Sequence, residues 1–130
     1  MKVFLFVILA CVAISCADVA DRYVKRFDMV EITKTLIPDT TINQDYMEIR
    51  AKAQADNGCW RNLYFELKKT KDFEYTLKAY GTYESFGVCS EKLVIQDTTI
   101  NFQPKVKGTY LFYISRIPNE PADIDTLIVE

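Results

Sequence analysis

Apolar and polar residues alternate through most of the chain beyond residue 28. Met47, Ile49, Ala51, Ala53 and Ala55 take turns with Glu48, Arg50, Lys52 and Gln54. A period of two puts one set on each face of a β-strand. Val30, Ile32 and Leu36 mark an earlier strand that ends at Pro38-Asp39. Leu63, Phe65 and Leu67 mark another, after the turn Asp56-Asn57-Gly58, where Asn and Gly tolerate positive φ. Lys68-Lys69-Thr70-Lys71 reads as a hairpin tip, and Phe73, Tyr75, Leu77, Ala79, Gly81 and Tyr83 then share one face. Leu93 with Ile95, Ile100 with Phe102, the run Tyr110, Phe112, Ile114, and Leu127 with Val129 complete the series. No segment has a helical period. About seven short strands at this spacing predict an all-β domain, a two-sheet sandwich with a small barrel as the alternative.

The first residues follow a different pattern. Lys2 precedes an almost wholly apolar run from Val3 to Ile14. Such a run matches an export signal and is too short to span a bilayer as a stable helix. Two cleavage readings stand. Ala13-Ile14-Ser15-Cys16 resembles a bacterial lipobox, although Leu is usual at Ala13 and a smaller residue at Ile14. That resemblance implies residues 1–15 as signal, Cys16 as the acylated first residue carrying palmitate-type chains, and 16–27 as anchor and tether. The polar stretch Ala17-Asp18-Val19-Ala20-Asp21-Arg22 suits a tether, and Lys25-Arg26 reads as a solvated charge pair within it. Alternatively, Ser15-Cys16-Ala17 is a small-x-small site cut before Asp18, which gives a freely secreted protein. Residues 28–130 form the domain in either case.

Charge excludes one class of partner. Losing residues 1–15 removes Lys2 and no acid, so 16 basic residues become 15 against 18 acidic, a net of −3. Nucleic-acid binding needs a basic face to displace counterions, and none is visible. The chain has no His, which removes Ser-His and Cys-His nucleophilic machinery and the commonest zinc ligand. No metal or cofactor site is expected. Cys11 and Cys16 belong to the exported end, which leaves Cys59 and Cys89. An even pair in an oxidising compartment reads as one structural disulfide, with no Cys-x-x-Cys to suggest redox work.

The segment from Thr98 to Ile114 resembles the E–F corner of an immunoglobulin-like domain. Pro104 ends a strand, Gly108 is the turn residue, and Tyr110 stands where that family places a corner tyrosine. Antibody-type domains carry Cys two residues later, where this chain has Phe112. The Cys59–Cys89 bridge is therefore expected to join the start of the third strand to the segment before the fifth. The pentapeptide Asp39-Thr40-Thr41-Ile42-Asn43 recurs as residues 97–101 and reads as two similar inter-strand corners. Asn57 to Trp60, the lone later Cys89, Gly108-x-Tyr110 and Asp125 to Val129 make nearly the whole chain similar to a group of small bacterial envelope lipoproteins. That resemblance implies one immunoglobulin-like β-sandwich of about seven antiparallel strands, held at the outer membrane or the periplasmic face. It implies no particular activity.

Candidate chemistry is sparse. Trp60, Tyr64, Tyr80, Tyr83 and Phe86 flank the cysteine region, and an aromatic platform there would stack a glycan or grip a partner protein. The plainer reading has them plugging the sandwich end and shielding the bridge. Glu120, Asp123 and Asp125 are an acidic cluster without the spacing of a calcium loop. Glu66, Glu74 and Glu84 are the carboxylates available for acid–base work, each alternating with apolar neighbours and so expected on a solvated face. The expectation is a non-enzymatic, lipid-anchored envelope protein with a binding or structural role. The alternatives are a secreted binding module or effector, and an accessory subunit of an envelope assembly.

Overall fold

Eight strands occupy the residues described, 22–130, in this computed structural model. In chain order they are β1 (Val24–Leu36), β2 (Thr40–Thr41), β3 (Met47–Ala55), β4 (Trp60–Lys71), β5 (Glu74–Ser85), β6 (Val94–Phe102), β7 (Gly108–Ile114) and β8 (Asp123–Val129). The described part of the chain is all-β, as the alternation predicts. The signal residues 1–15 and Cys16 lie outside the described residues.

The strands form one curled eight-stranded sheet, in the order β2-β8-β7-β5-β1-β3-β6 with β4 on β5, whose two halves are layers that share β1. Its first half, from Val24 to Val30, pairs antiparallel with β5, and its second half, from Glu31 to Leu36, pairs antiparallel with β3. The first layer runs β4–β5, then β7, β8 and β2, with the first half of β1 beside the second half of β5. The second layer is the rest of β1, then β3 and β6. Two pairings are parallel, β5 with β7 and β2 with β8, so the expectation of a wholly antiparallel arrangement is corrected. β5 explains the first of these. It has a hairpin partner, β4, along one edge, and its other edge is divided between β1 and a strand that arrives by a crossover from the second layer.

The core lies between the layers. Ile32, Ile49, Leu77, Phe112, Ile114 and Leu127 are fully buried. The Ala-rich face of β3 is buried throughout, and its small side chains let the opposing layer approach closely. Phe112 occupies the position of the missing cysteine, and its ring packs on Tyr75 and Phe102 at 5.7 and 5.4 Å.

Four further expectations need correction. Leu36 is 57% exposed while Ile37 is buried. The β1–β3 register shifts between Ile32 and Lys34, and one extra residue in a strand moves every later side chain to the other face. Leu93 and Ile95 do not begin a strand of their own with an inward face. β6 is continuous, with Val94, Gln96, Thr98, Ile100 and Phe102 turned inward and Leu93 and Ile95 exposed. The repeated pentapeptide does not form two corners. Asp39–Asn43 holds the short β2 against β8, where the Ile128 amide donates to the Asp39 carbonyl at 2.9 Å, whereas residues 97–101 lie in mid-strand in β6. Finally, residues 24–27, assigned by sequence to the tether, are paired in β1.

Candidate functional site

The hairpin β4–β5 and the first half of β1 bring Phe27, Trp60, Tyr64, Tyr80 and Tyr83 to neighbouring strand positions. In β5, the odd-numbered residues Leu77, Ala79 and Gly81 point into the core, so Tyr80, Thr82 and Glu84 face out. In β4, Tyr64 sits opposite Tyr80 and also faces out. Phe27 of β1 completes an outward triad. Ring centroids are 5.4 Å apart for Phe27–Tyr80 and 5.8 Å for both Phe27–Tyr64 and Tyr64–Tyr80. Phe27 and Tyr64 are 57% and 47% exposed.

Trp60 and Tyr83 belong to the other face. A register shift between Arg61 and Tyr64, with Asn62 at φ 53°, turns the start of β4. Trp60 then lies opposite Tyr83, with ring centroids 5.4 Å apart in an edge-on arrangement. The Arg26 guanidinium lies 4.4 Å from the Tyr83 ring and 5.9 Å from that of Trp60, a cation–π arrangement that fixes all three. Arg26 is thus not merely a solvated linker charge. The Trp60 indole N–H donates to Asp56 at 3.1 Å. The Tyr83 hydroxyl is 3.3 Å from the Cys89 sulfur, so the Tyr83 ring reaches the disulfide.

The disulfide joins Cys59, just before β4, to Cys89, in the loop after β5. Those are the two places expected from the sequence. Gly58 approaches Ser90 so closely that a Cβ would come within 2.0 Å of the Ser90 hydroxyl oxygen. Its amide donates to the Ser90 carbonyl at 2.8 Å. Beyond Ser85, Phe86 is 80% exposed, and its ring contacts that of Tyr23 at 4.9 Å. The five aromatics singled out by sequence therefore divide into three settings. Tyr64 and Tyr80 are on the outer face, Trp60 and Tyr83 are under the bridge, and Phe86 is on the end loop. Phe27 and Tyr23 join them from a stretch that sequence reading had assigned to the tether and its boundary. The signal for Phe27 was its aromatic character beside Lys25-Arg26.

The carboxylates do not converge. Glu84 accepts from the Tyr23 hydroxyl at 2.6 Å and pairs with Arg61. Glu74 lies near Lys71 at the hairpin tip, and Glu66 is opposite Lys78. Glu74 and Glu84 are ten residues apart along β5, roughly 33 Å. Asp123 pairs with Arg116, which also donates to Thr35 at 3.0 Å. Among the described residues, no group of three or more His, Cys, Asp or Glu is placed to hold a metal ion.

A cleft of about 460 Å³ lies at the opposite end, lined by Lys69, Asp72, Phe73, Tyr75, Gln103, Lys105, Val106 and Tyr110. The Tyr110 hydroxyl donates to the Val106 carbonyl at 2.8 Å, and the Val106 amide approaches the same hydroxyl at 3.4 Å. Gly108 has φ +146°, and a Cβ there would meet the Phe73 ring at 2.9 Å. Burial raises the Tyr75 phenol above its ordinary range. Lys69 and Asp72 form an exposed pair 2.7 Å apart, which raises the lysine and lowers the acid. Lys69, Asp72 and Tyr110 are thus engaged with one another or with backbone.

No protein-family model matches the chain, and neither does any curated protein or solved structure.

Proposed function

We propose that this protein is a non-enzymatic cell-envelope lipoprotein that holds one immunoglobulin-like sandwich at a membrane and works by binding a partner protein. The immunoglobulin-like reading draws support from the two layers sharing β1 and from the Tyr110–Val106 corner. The anchor is Cys16, and the tether runs from there to the start of β1. Cleavage before Asp18, favoured by the small residues at 15 and 17, would release the same domain and the same binding surface without the anchor.

The observation that carries a binding role is the outward triad Phe27, Tyr64 and Tyr80. Three aromatic rings clustered on a solvated sheet face leave apolar surface unsatisfied, and such patches mark interaction sites. A protein fits better than a sugar. The Phe27 ring lies within 14° and 24° of parallel to the other two, so the ring faces are turned largely toward one another. Arg61 and the Glu66–Lys78 pair supply the charged border usual around an interface centre.

The test is photo-cross-linking from position 64 in the native envelope, with a benzophenone amino acid in place of Tyr64. A discrete protein adduct that disappears with Phe27→Ala and Tyr80→Ala is the expected result. Absence of any adduct, or one indifferent to both substitutions, would remove this face as the binding surface. Adducts confined to glycan would move the reading to the sugar alternative.

A further inference from the structure

The end of the domain nearest the tether carries a second apolar surface, separate from the outward triad. Phe86 and Val88 are 80% and 90% exposed, the highest values among the large apolar side chains described. Tyr23 and Val24, 46% and 44% exposed, lie beside them, and Tyr23 touches the Phe86 ring. The loop bearing Phe86 and Val88 is held in place. Its far side is pinned by the Cys59–Cys89 disulfide, and the Gly87 amide donates to the Ser85 hydroxyl at 3.0 Å. A flexible loop would fold its apolar side chains inward, whereas this one is fastened with them outward.

Chain length says what lies over this surface. Seven residues separate Cys16 from Tyr23, at most about 25 Å when fully extended. Acyl chains on Cys16 would therefore keep Tyr23, and with it Phe86, within that distance of the bilayer. Arg22 runs alongside Gly87, where a Cβ would lie 3.6 Å from that of Arg22. Lys25 and Arg26 follow within the same strand end. Glu84, the acid beside Tyr23, is already engaged by Arg61 and Tyr23. The result is an apolar tip with a basic collar, the chemistry that suits an anionic lipid interface.

We infer that the tip formed by Tyr23, Phe86 and Val88 inserts into the headgroup region of the membrane that anchors the chain, and so orients the domain on that membrane. This inference rests on acylation of Cys16. The domain then stands with β5 directed away from the bilayer, and the cleft at the hairpin tip is presented distally.

Trp60, the only tryptophan, sits at this end beside Cys59 and reports on it. The experiment uses the mature protein purified from its own membranes and reconstituted in phosphatidylethanolamine–phosphatidylglycerol vesicles. These contain lipids with a nitroxide quencher in the headgroup or just below it, and intact mass is measured on the same preparation. An acylated mass, with loss of most Trp60 emission to the shallow quenchers, is the expected result. Phe86→Ser with Val88→Ser should keep the acyl increment over the polypeptide mass and the melting temperature, since both side chains are exposed, and should restore the emission. An acylated protein whose Trp60 is not quenched, or is quenched equally in the double variant, overturns the inference and leaves the anchor standing. An unacylated mass overturns anchor and inference together.

Discussion

Tyr110 ties its own ring to the chain four residues back. Its hydroxyl donates to Val106 while the ring packs edge-on against Phe73 and Phe102. Tyr110→Phe removes the hydrogen bond and keeps the ring, so the expected loss is about 1 kcal/mol, read by urea denaturation. Gly108→Ala should cost more, because it adds a clash with Phe73 to a φ that disfavours any side chain. Tyr75 gives a prediction in pH. Its phenol is raised by burial, so above the unfolded value the native state holds a proton that the unfolded chain has lost. That contribution is complete below pH ~10 and is lost as pH rises through the folded value. Tyr75→Phe should therefore flatten the alkaline fall in stability, and phenolate absorbance should show one tyrosine ionising late in the wild type. Sequence reading found Gly58 for a less accurate reason. It predicted a turn needing positive φ, whereas Gly58 is required by the closeness of Ser90. A contact across 32 positions leaves no local mark.

At the scale of elements, alternation located nearly every strand, and it failed where a single residue intervenes. The shift at Thr33 leaves Leu36 outside and Ile37 inside, and no residue type at 33 announces a bulge. The repeated pentapeptide gives the same lesson. One copy forms a two-residue parallel strand and the other lies inside a nine-residue strand, because neighbours decide what so short a segment adopts. The exposed edge of β4 carries Lys68, Lys69 and Lys71 and the irregularity at Asn62, features that discourage pairing with another chain. Gly81 lies against the irregular stretch of β4 between Arg61 and Tyr64. A Cβ there would fall 2.4 Å from a Leu63 methyl and 3.1 Å from the Trp60 ring. Gly81→Ala is expected to destabilise by about 1–3 kcal/mol through overpacking, measurable as a lower melting temperature, with a near-ultraviolet circular dichroism change from Trp60. The disulfide closes a separation of 30 residues, which the chain-entropy account values at about 3–4 kcal/mol. Reduction, or Cys59→Ser, should lower stability by that amount. No change in melting on full reduction would mean that no bridge exists in solution.

For the whole molecule, the separation of its two ends matters most. The disulfide end carries the exposed apolar loop and the first described residues, and the hairpin end carries the cleft, roughly 33 Å away along β5. Composition and alternation made the all-β class legible, and cysteine counting made the bridge legible. The candidate surface was only half legible. Tyr64 and Tyr80 were named from the sequence as flanking the cysteines and lie instead on the outer face, and their partner Phe27 depended on β1 beginning at Val24. Trp60 and Tyr83 were grouped with them because parity on β4 cannot be read through the irregularity at Asn62. Limited proteolysis checks the revised boundary. Residues 24–27 should resist cleavage as part of a paired strand.

The strand that belongs to both layers is also the first strand of the described chain. Tension applied through residue 22 along the axis of β1 is taken up along its length by the seven register pairs with β5, from Val24↔Ser85 to Val30↔Ala79. Bonds loaded in shear yield collectively, whereas bonds peeled from one end yield singly. A domain pulled by residue 22 would therefore fail late and abruptly, at a rate set by its unfolding barrier, and the layers would part only once β1 had been drawn out from between them.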